Sequence, residues 1–253
     1  MKHYKVIACK IMQRELAHVL ASCPNALDFT FLKQNLHDTP RLLTKALQEE
    51  IDRVESGCCP YTNREHMFEF DAILLGYGLC SNALVGLKSR RLPIVIPRAH
   101  DCTTLFMGSK EKYQTYFHEV KGTYFYTLGW LELGATPEEG SLERKRIEYM
   151  DKFQDEDTVD YLMEMEEEML KHYNSITYIT WPGLENSRGL EQARRVTEQK
   201  KWNLHQYDGD DSLLSNFVNG HWPEEDFLIL NPGEELTPSY EDSVIRKVPP
   251  TAP

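Results

Sequence analysis

The chain has 253 residues, 41% of them hydrophobic and 11% aromatic, enough to bury a sizeable core as one large domain or two small ones. Acidic residues outnumber basic ones by 40 to 28, and the net charge of -12 repels phosphate backbones, so nucleic-acid binding is excluded as a general function. A small-molecule substrate or a protein partner fits this charge.

Met1-Lys2-His3-Tyr4-Lys5 leads straight into a strand pattern with no signal-type apolar stretch, and no segment approaches the roughly 20 apolar residues that span a membrane. A cytoplasmic location is expected. In that reducing compartment the six cysteines are free thiols or ligands rather than disulfides.

Tyr4 to Ile11 reads as a first strand. Gln13 to Ala21 follows as a helix that buries Leu16, Val19 and Leu20. Asn25 to Leu32 alternates as a second strand, and Thr39 is placed to cap a helix through Glu55 with Leu42, Leu43, Ala46, Leu47, Ile51 and Val54 at helical spacing. Ala72 to Gly76 is a continuous apolar run and predicts a strand buried on both faces. Pro93 to Pro97 is a fourth strand, with a short helix from Ser81 to Ser89 before it and a helix at about Ser109 to His118 after it. Tyr124 to Leu128 is a fifth strand.

From Pro137 to His172 the chain becomes charged and helical. Its run Glu164-Met165-Glu166-Glu167-Glu168 is read as a solvated helix face rather than a cation site. The alternation then resumes with strand Ser175 to Thr180, helix Gly189 to Lys201, strand Leu204 to Tyr207, helix Ser212 to Val218 and strand Phe227 to Leu230. Val248 to Pro253 is a tail or arm. This pattern predicts a three-layer, Rossmann-like α/β fold with a mostly parallel sheet flanked by helices. A single domain over 1–253 is expected, with two βα halves at 1–130 and 173–233 joined by the helical segment 137–172.

The alternation also sorts the cysteines. Connections from strand to helix lie at the carboxyl edge of a parallel sheet, where such folds keep their chemistry, and connections from helix to strand lie at the other edge. Cys9, Cys80, His100 and Cys102 belong to the first set. Cys23 reads as a small buried hydrophobe and the vicinal pair Cys58-Cys59 as a loop at the far edge.

Thiolate and imidazole suit zinc and softer transition metals, whereas calcium and magnesium want oxygen. His100 and Cys102 are one residue apart, so in an extended loop both side chains point the same way, and Asp101 is placed to orient the imidazole or cap a turn. The alternative is three buried core thiols. Cys80, at the start of the expected helix, would be favoured as thiolate, and Cys80 with His100 also reads as a nucleophile and base pair with Asp101 or Asn82 as orienter.

Gly76-Tyr77-Gly78-Leu79-Cys80-Ser81 contains G-x-G-x-x-S, one residue short of a dinucleotide fingerprint, and follows the third strand rather than the first. Gly76 and Gly78 are expected instead to let the chain turn sharply and bring Cys80 and Asn82 to the site, as part of a cofactor-binding loop. No G-x-S-x-G elbow of a serine hydrolase is present.

The segments Asp71 to Asn82 and Pro97 to Leu105 with Gly108-Ser109 closely resemble an uncharacterised family of anaerobic archaea and bacteria, catalogued as a domain of unknown function. Ile7 to Ile11 through Glu15-Leu16, Gly129-Trp130, Gly209-Asp210, Gly220 and Phe227 to Gly233 are similar to it as well, so the resemblance covers nearly the whole chain. Members often occur near corrinoid-dependent methyltransferase systems, which implies a link to one-carbon metabolism and a corrinoid protein or methyltransferase as partner. The chain departs from the family at Ser81-Asn82-Ala83, where glycine is common, and over Pro137 to His172.

Combined, the residues and the resemblance give a zinc site of Cys9, Cys80, Cys102 and His100 that holds a substrate thiol for methyl transfer, with His100 as ligand or general base. Tyr77 and Asn82 would line the pocket and Arg98 would bind a substrate carboxylate. An iron-sulfur cluster in a non-catalytic electron-transfer or cofactor-maintenance protein is the alternative for the same ligands. A corrinoid-binding module without its own metal is a further reading, although the chain lacks the Asp-x-His-x-x-Gly pattern of one cobalamin class.

Overall fold

The computed structural model describes residues 1–57, 69–133, 137–138, 140–239, 241 and 243–248. The chain opens with β1 (His3–Cys9), a 3-10 turn at Lys10–Met12, α1 (Gln13–Leu20), β2 (Ala26–Leu32), a second 3-10 turn at Leu36–Asp38 and α2 (Pro40–Glu55). It continues with β3 (Ala72–Gly76), β4 (Ile94–Pro97), α3 (Cys102–Met107), α4 (Lys110–Glu119), β5 (Thr123–Tyr126), α5 (Leu128–Leu133), α6 (Ser141–Phe153) and α7 (Glu156–Lys171). The remaining elements are β6 (Ser175–Thr180), α8 (Ser187–Lys200), β7 (Asn203–Asp208), α9 (Ser212–Asn219), β8 (Phe227–Leu230), β9 (Glu235–Pro238) and β10 (Ile245–Val248).

The chain divides into two compact units, Met1–Gln114 with Gly209–Pro253, and Thr115–Asp208. The first is built on a five-stranded sheet in the order β2-β1-β3-β4-β8. Its first four strands are mutually parallel, and β8 runs antiparallel to β4. β3 and β4 are buried along their whole length, as their unbroken apolar runs require of strands covered on both faces. The edge strand β2 is only partly buried, with Thr30 its one buried residue, so the sequence alternation does not appear as alternating burial.

From β1 the chain crosses one way to β2, and from β2 it crosses back over β1 to β3. Right-handed crossovers in opposite directions put α1 and α2 on opposite faces, and the loops after β1 and β3 then leave in opposite directions. The order 2-1-3-4 is that of a doubly wound sheet, with a crevice at the carboxyl ends of β1 and β3. Lys5, fully buried on β1, is paired with Asp28 directly across on β2, so its charge is matched inside the sheet.

The second unit has its own parallel sheet, β5-β6-β7. Its core gathers Tyr126, Ile176, Tyr178, Ala193 and Val196, with Trp130, Leu190 and Trp202 packed against them. α6 pairs with α7: Lys145 and Tyr149 reach Glu166 at 2.5 and 2.6 Å, and Arg146 reaches Asp160 at 2.6 Å. Glu166 therefore belongs to a helix-helix contact, and Glu168 pairs with Lys171 at 2.7 Å.

Several sequence expectations are corrected. No helix forms over 81–89; the residues make tight turns, because Cys80, Ser81 and Asn82 all adopt left-handed backbone (φ 45, 57 and 68°). α3, α5, β9 and β10 are additional elements, and Val248, assigned to a tail, closes β10 while 249–253 lies outside the described residues. Leu20 and Leu42 face solvent, and Thr39 occupies the cap position of α2 without a side-chain capping bond, Pro40 supplying the helical start instead. Among the described residues no helix is long and apolar enough to cross a membrane.

Candidate functional site at the carboxyl edge of the sheet

Three neighbouring strands each deliver a cysteine to the same edge. Cys9 is the last residue of β1, and the backbone N–H groups of Lys10 and Ile11 point to its sulfur. Ala8 is in register with Gly76, so Cys9 and Tyr77 are the next residues of adjoining strands. Cys80 follows in the loop after β3. Cys102 opens α3 after β4, with Asp101 as its cap.

The loops after β3 and β4 are tied together by the backbone. Leu79 donates its N–H to Ala99 O at 2.8 Å and Cys80 donates to His100 O at 3.0 Å. That close approach explains Gly78: a Cβ there would lie 2.7 Å from both Cα and N of Asp101. Gly76 answers to the same demand inside the sheet, where a Cβ would lie 2.7 Å from the Ala8 Cβ. Both glycines are required by contact rather than by a sharp turn, since neither has positive φ.

The sharp turn falls on Cys80, Ser81 and Asn82. Left-handed backbone costs such residues roughly 1–2 kcal/mol each, so the turn is held by its surroundings. Ala83 N–H to Cys80 O (3.2 Å) and Val85 N–H to Asn82 O (3.0 Å) close it. Asp101 is fixed in turn: its carboxylate accepts from Thr103 N–H at 2.9 Å and from the Tyr113 hydroxyl at 3.0 Å.

The thiols and Tyr77 share one electrostatic neighbourhood. Burial pushes the Cys80 thiol up to about 12, and negative charge on Asp101 and Cys9 adds to the rise. Cys102 is raised well above the ordinary thiol value by burial and then by Asp101, Cys80 and Cys9. Cys9 is raised by burial against the pull of its two backbone donors. Tyr77 is raised by burial and by charge on all three cysteines. The residues Cys80 and Cys102 retain some exposed surface while their thiols are withdrawn from water. The expectation of a Cys80 thiolate at a helix start is thereby corrected: there is no helix, and the thiol is neutral at pH 7.

His100 and Asn82 are exposed at the rim. Arg98 is not directed to a ligand as expected: its Nε donates to Glu224 O at 2.7 Å, and its Nη1 to Ser243 O at 3.0 Å and to Ile245 O, clamping the β8 to β10 segment. Cys23 lies apart, its thiol directed to Val218 O at 3.4 Å, and Cys58-Cys59 lies outside the described residues. Among the described residues no three His, Cys, Asp or Glu side chains already stand in a metal-holding array.

Two groups escaped the sequence reading. Gln34 follows β2 by two residues and Thr104 follows Cys102 by two; both are buried, and among the described residues the Gln34 amide and Thr104 hydroxyl have no partner. The rule that singled out the cysteines, placement after a parallel strand, would also have singled out Gln34.

The fold and site define a doubly wound α/β protein with a cluster of thiols where its topology switches direction. Residues 31–218, most of the chain, match the family described as "Protein of unknown function (DUF1638)", and the chain belongs to that family. The match includes Cys80, His100 and Cys102 and begins after Cys9. No curated protein and no solved structure matches the chain.

Proposed function

We propose that the carboxyl edge of the five-stranded sheet is a zinc-thiolate site of Cys9, Cys80 and Cys102, with His100 as fourth ligand or base, and that it transfers a methyl group to a substrate thiol. The observation that carries this reading is the delivery of three cysteines by three adjacent segments to the crevice beside the switch point. The donor set fits: three sulfurs and one imidazole suit zinc, and three protein ligands leave a position for substrate. The Tyr77 hydroxyl, buried and without a partner among the described residues, supports a role for this edge beyond packing.

When bound, zinc supplies a Lewis-acidic position at which a thiol is held as thiolate. The rest falls to the chain. Burial and mutual repulsion disfavour charge on its own thiols, so binding a cation there would release protons. His100 at the rim takes the proton of the incoming thiol. The substrate sulfur would use its own electron pair to form the bond to the methyl carbon as the carbon-donor bond breaks, and the donor would keep the pair of that broken bond. The family resemblance favours a methylated corrinoid protein as donor.

Metal analysis and a visible spectrum of anaerobically purified protein test the reading. About one zinc ion per colourless chain is expected, lost in Cys9→Ser, Cys80→Ser and Cys102→Ser. A brown chromophore would select the iron-sulfur alternative, and wild type without metal and indifferent to all three substitutions would sink the site. A nucleophilic Cys80 would instead show selective alkylation that requires His100; its raised thiol pKa works against that reading.

A further inference from the structure

Three buried side chains at this edge carry polar atoms with no hydrogen-bond partner among the described residues: both Nε2 and Oε1 of Gln34, Oη of Tyr77 and Oγ1 of Thr104. Their residues are 6%, 3% and 1% exposed. Such groups are rare, because a buried donor or acceptor left unmade bears its full desolvation cost. Among the described residues, Thr30 Oγ1 in the body of β2 and Thr180 Oγ1 in the second unit are orphaned as well and stand outside the set.

Strand order sets the three in a row along the carboxyl edge, Gln34 after β2, Tyr77 after β3 and Thr104 beyond β4. Leu32 is in register with Cys9, and Gln34 is two residues further, so its Cα lies within about 7 Å of Leu32. Tyr77 adjoins Cys9 across β1 and β3, and feels the charge of all three cysteines. Thr104 is on α3 beside Cys102.

We infer that Gln34, Tyr77 and Thr104 form a subsite for the carboxamide of a small uncharged substrate, beside the cysteines. This rests on reading the carboxyl edge as the functional site, and not on its metal. The Gln34 amide offers a donor and an acceptor side by side, and its complement is a group with an adjacent acceptor and donor. A second carboxamide satisfies both. A carboxylate has only acceptors and would leave Oε1 unmet, and the buried cations Arg98 and Lys5 are already engaged by backbone carbonyls and by Asp28. An ammonium has only donors and would leave Nε2 unmet. Tyr77 and Thr104 each add a hydroxyl that donates or accepts. The orphaned groups are the mark of a site organised for its ligand at the expense of stability.

The probe is acetamide, titrated into metal-free, ¹⁵N-labelled full-length protein, with the Gln34 side-chain NH2 resonances and the melting temperature as readouts. Acetamide is expected to shift those resonances and raise the melting temperature, whereas acetate and N,N-dimethylacetamide, which lacks an N–H, bind about tenfold more weakly or worse. Gln34→Leu is expected to melt at or above the wild-type temperature, because an apolar group replaces an orphaned amide, and to lose acetamide binding about tenfold. Tyr77→Phe, which keeps the ring, is expected to weaken binding about fivefold. Acetamide leaving the Gln34 resonances unmoved, acetate binding as well as acetamide, or Gln34→Leu melting well below wild type would each overturn the subsite. Zinc analysis is a separate measurement, so a failed metal site and a failed amide subsite give different results.

Discussion

Gly78→Ala isolates the contact that holds the site together. The new Cβ would lie 2.7 Å from Cα and N of Asp101 and 2.8 Å from its carbonyl carbon, all backbone atoms that cannot swing away. Ordinary carbon contacts begin near 3.5 Å, so the loops after β3 and β4 must part by about 0.7 Å. Parting stretches the bonds from Leu79 N to Ala99 O (2.8 Å) and from Cys80 N to His100 O (3.0 Å) to the edge of useful geometry. Overpacking costs about 1–3 kcal/mol, and two weakened hydrogen bonds about 0.5–1.5 kcal/mol each, giving about 2–6 kcal/mol. Urea unfolding should show this loss. Competition with a chromogenic chelator should show zinc affinity down at least about tenfold as Cys80 and Cys102 separate. Gly86→Ala is the control: with φ +86° and nothing within 4 Å, it should cost about 1 kcal/mol of backbone strain and leave zinc affinity alone. If Gly78→Ala unfolds within about 0.5 kcal/mol of wild type and binds zinc equally well, the two loops do not position the cysteines.

Two further outcomes follow from ionisation. In metal-free protein, iodoacetamide should modify Cys80 slowly at pH 7 and faster as pH rises towards the about 12 at which its thiol ionises, and zinc affinity should climb over the same direction of pH; a fast, pH-independent reaction at neutral pH would contradict the buried neutral thiol. Glu55 accepts from Ser89 Oγ at 2.7 Å and from the N–H groups of Arg90, Arg91 and Leu92 at 2.7–3.0 Å. Burial alone would raise its pKa, but these donors outweigh burial and hold it below the usual value. A depressed folded pKa contributes stability that is present above the unfolded value, about 4.3, and is lost as pH falls through the folded one. Glu55→Gln should therefore cost about 2 kcal/mol at pH 7 and flatten the loss of stability below about pH 4; an unchanged acid limb would refute the role.

The legible part of this protein was the part written in local pattern. The unbroken apolar run at β3 announces a buried strand, and the strand-to-helix rule places Cys9, Cys80 and Cys102 at one edge from sequence alone. The rule needs only alternation and chirality, both of which are local. It failed over 81–89, where Ala83, Leu84 and Leu87 have helical spacing but the loop is held to the backbone beyond β4 and turns left-handed instead.

Tertiary structure decided what depends on neighbours distant in sequence. The order β2-β1-β3-β4-β8 and the separation of β5, β6 and β7 into another sheet cannot be read from alternation, because parallel strands carry no record of their partners. Arg98 became a clamp on carbonyls well over a hundred residues away, and Gln34 and Thr104 gained meaning only when burial left them without partners. The amino-acid sequence determined which residue types reach the carboxyl edge; only packing determined that the thiols there are held above the ordinary thiol value, since a pKa reports the solvent and charges around a group and not its place in the chain.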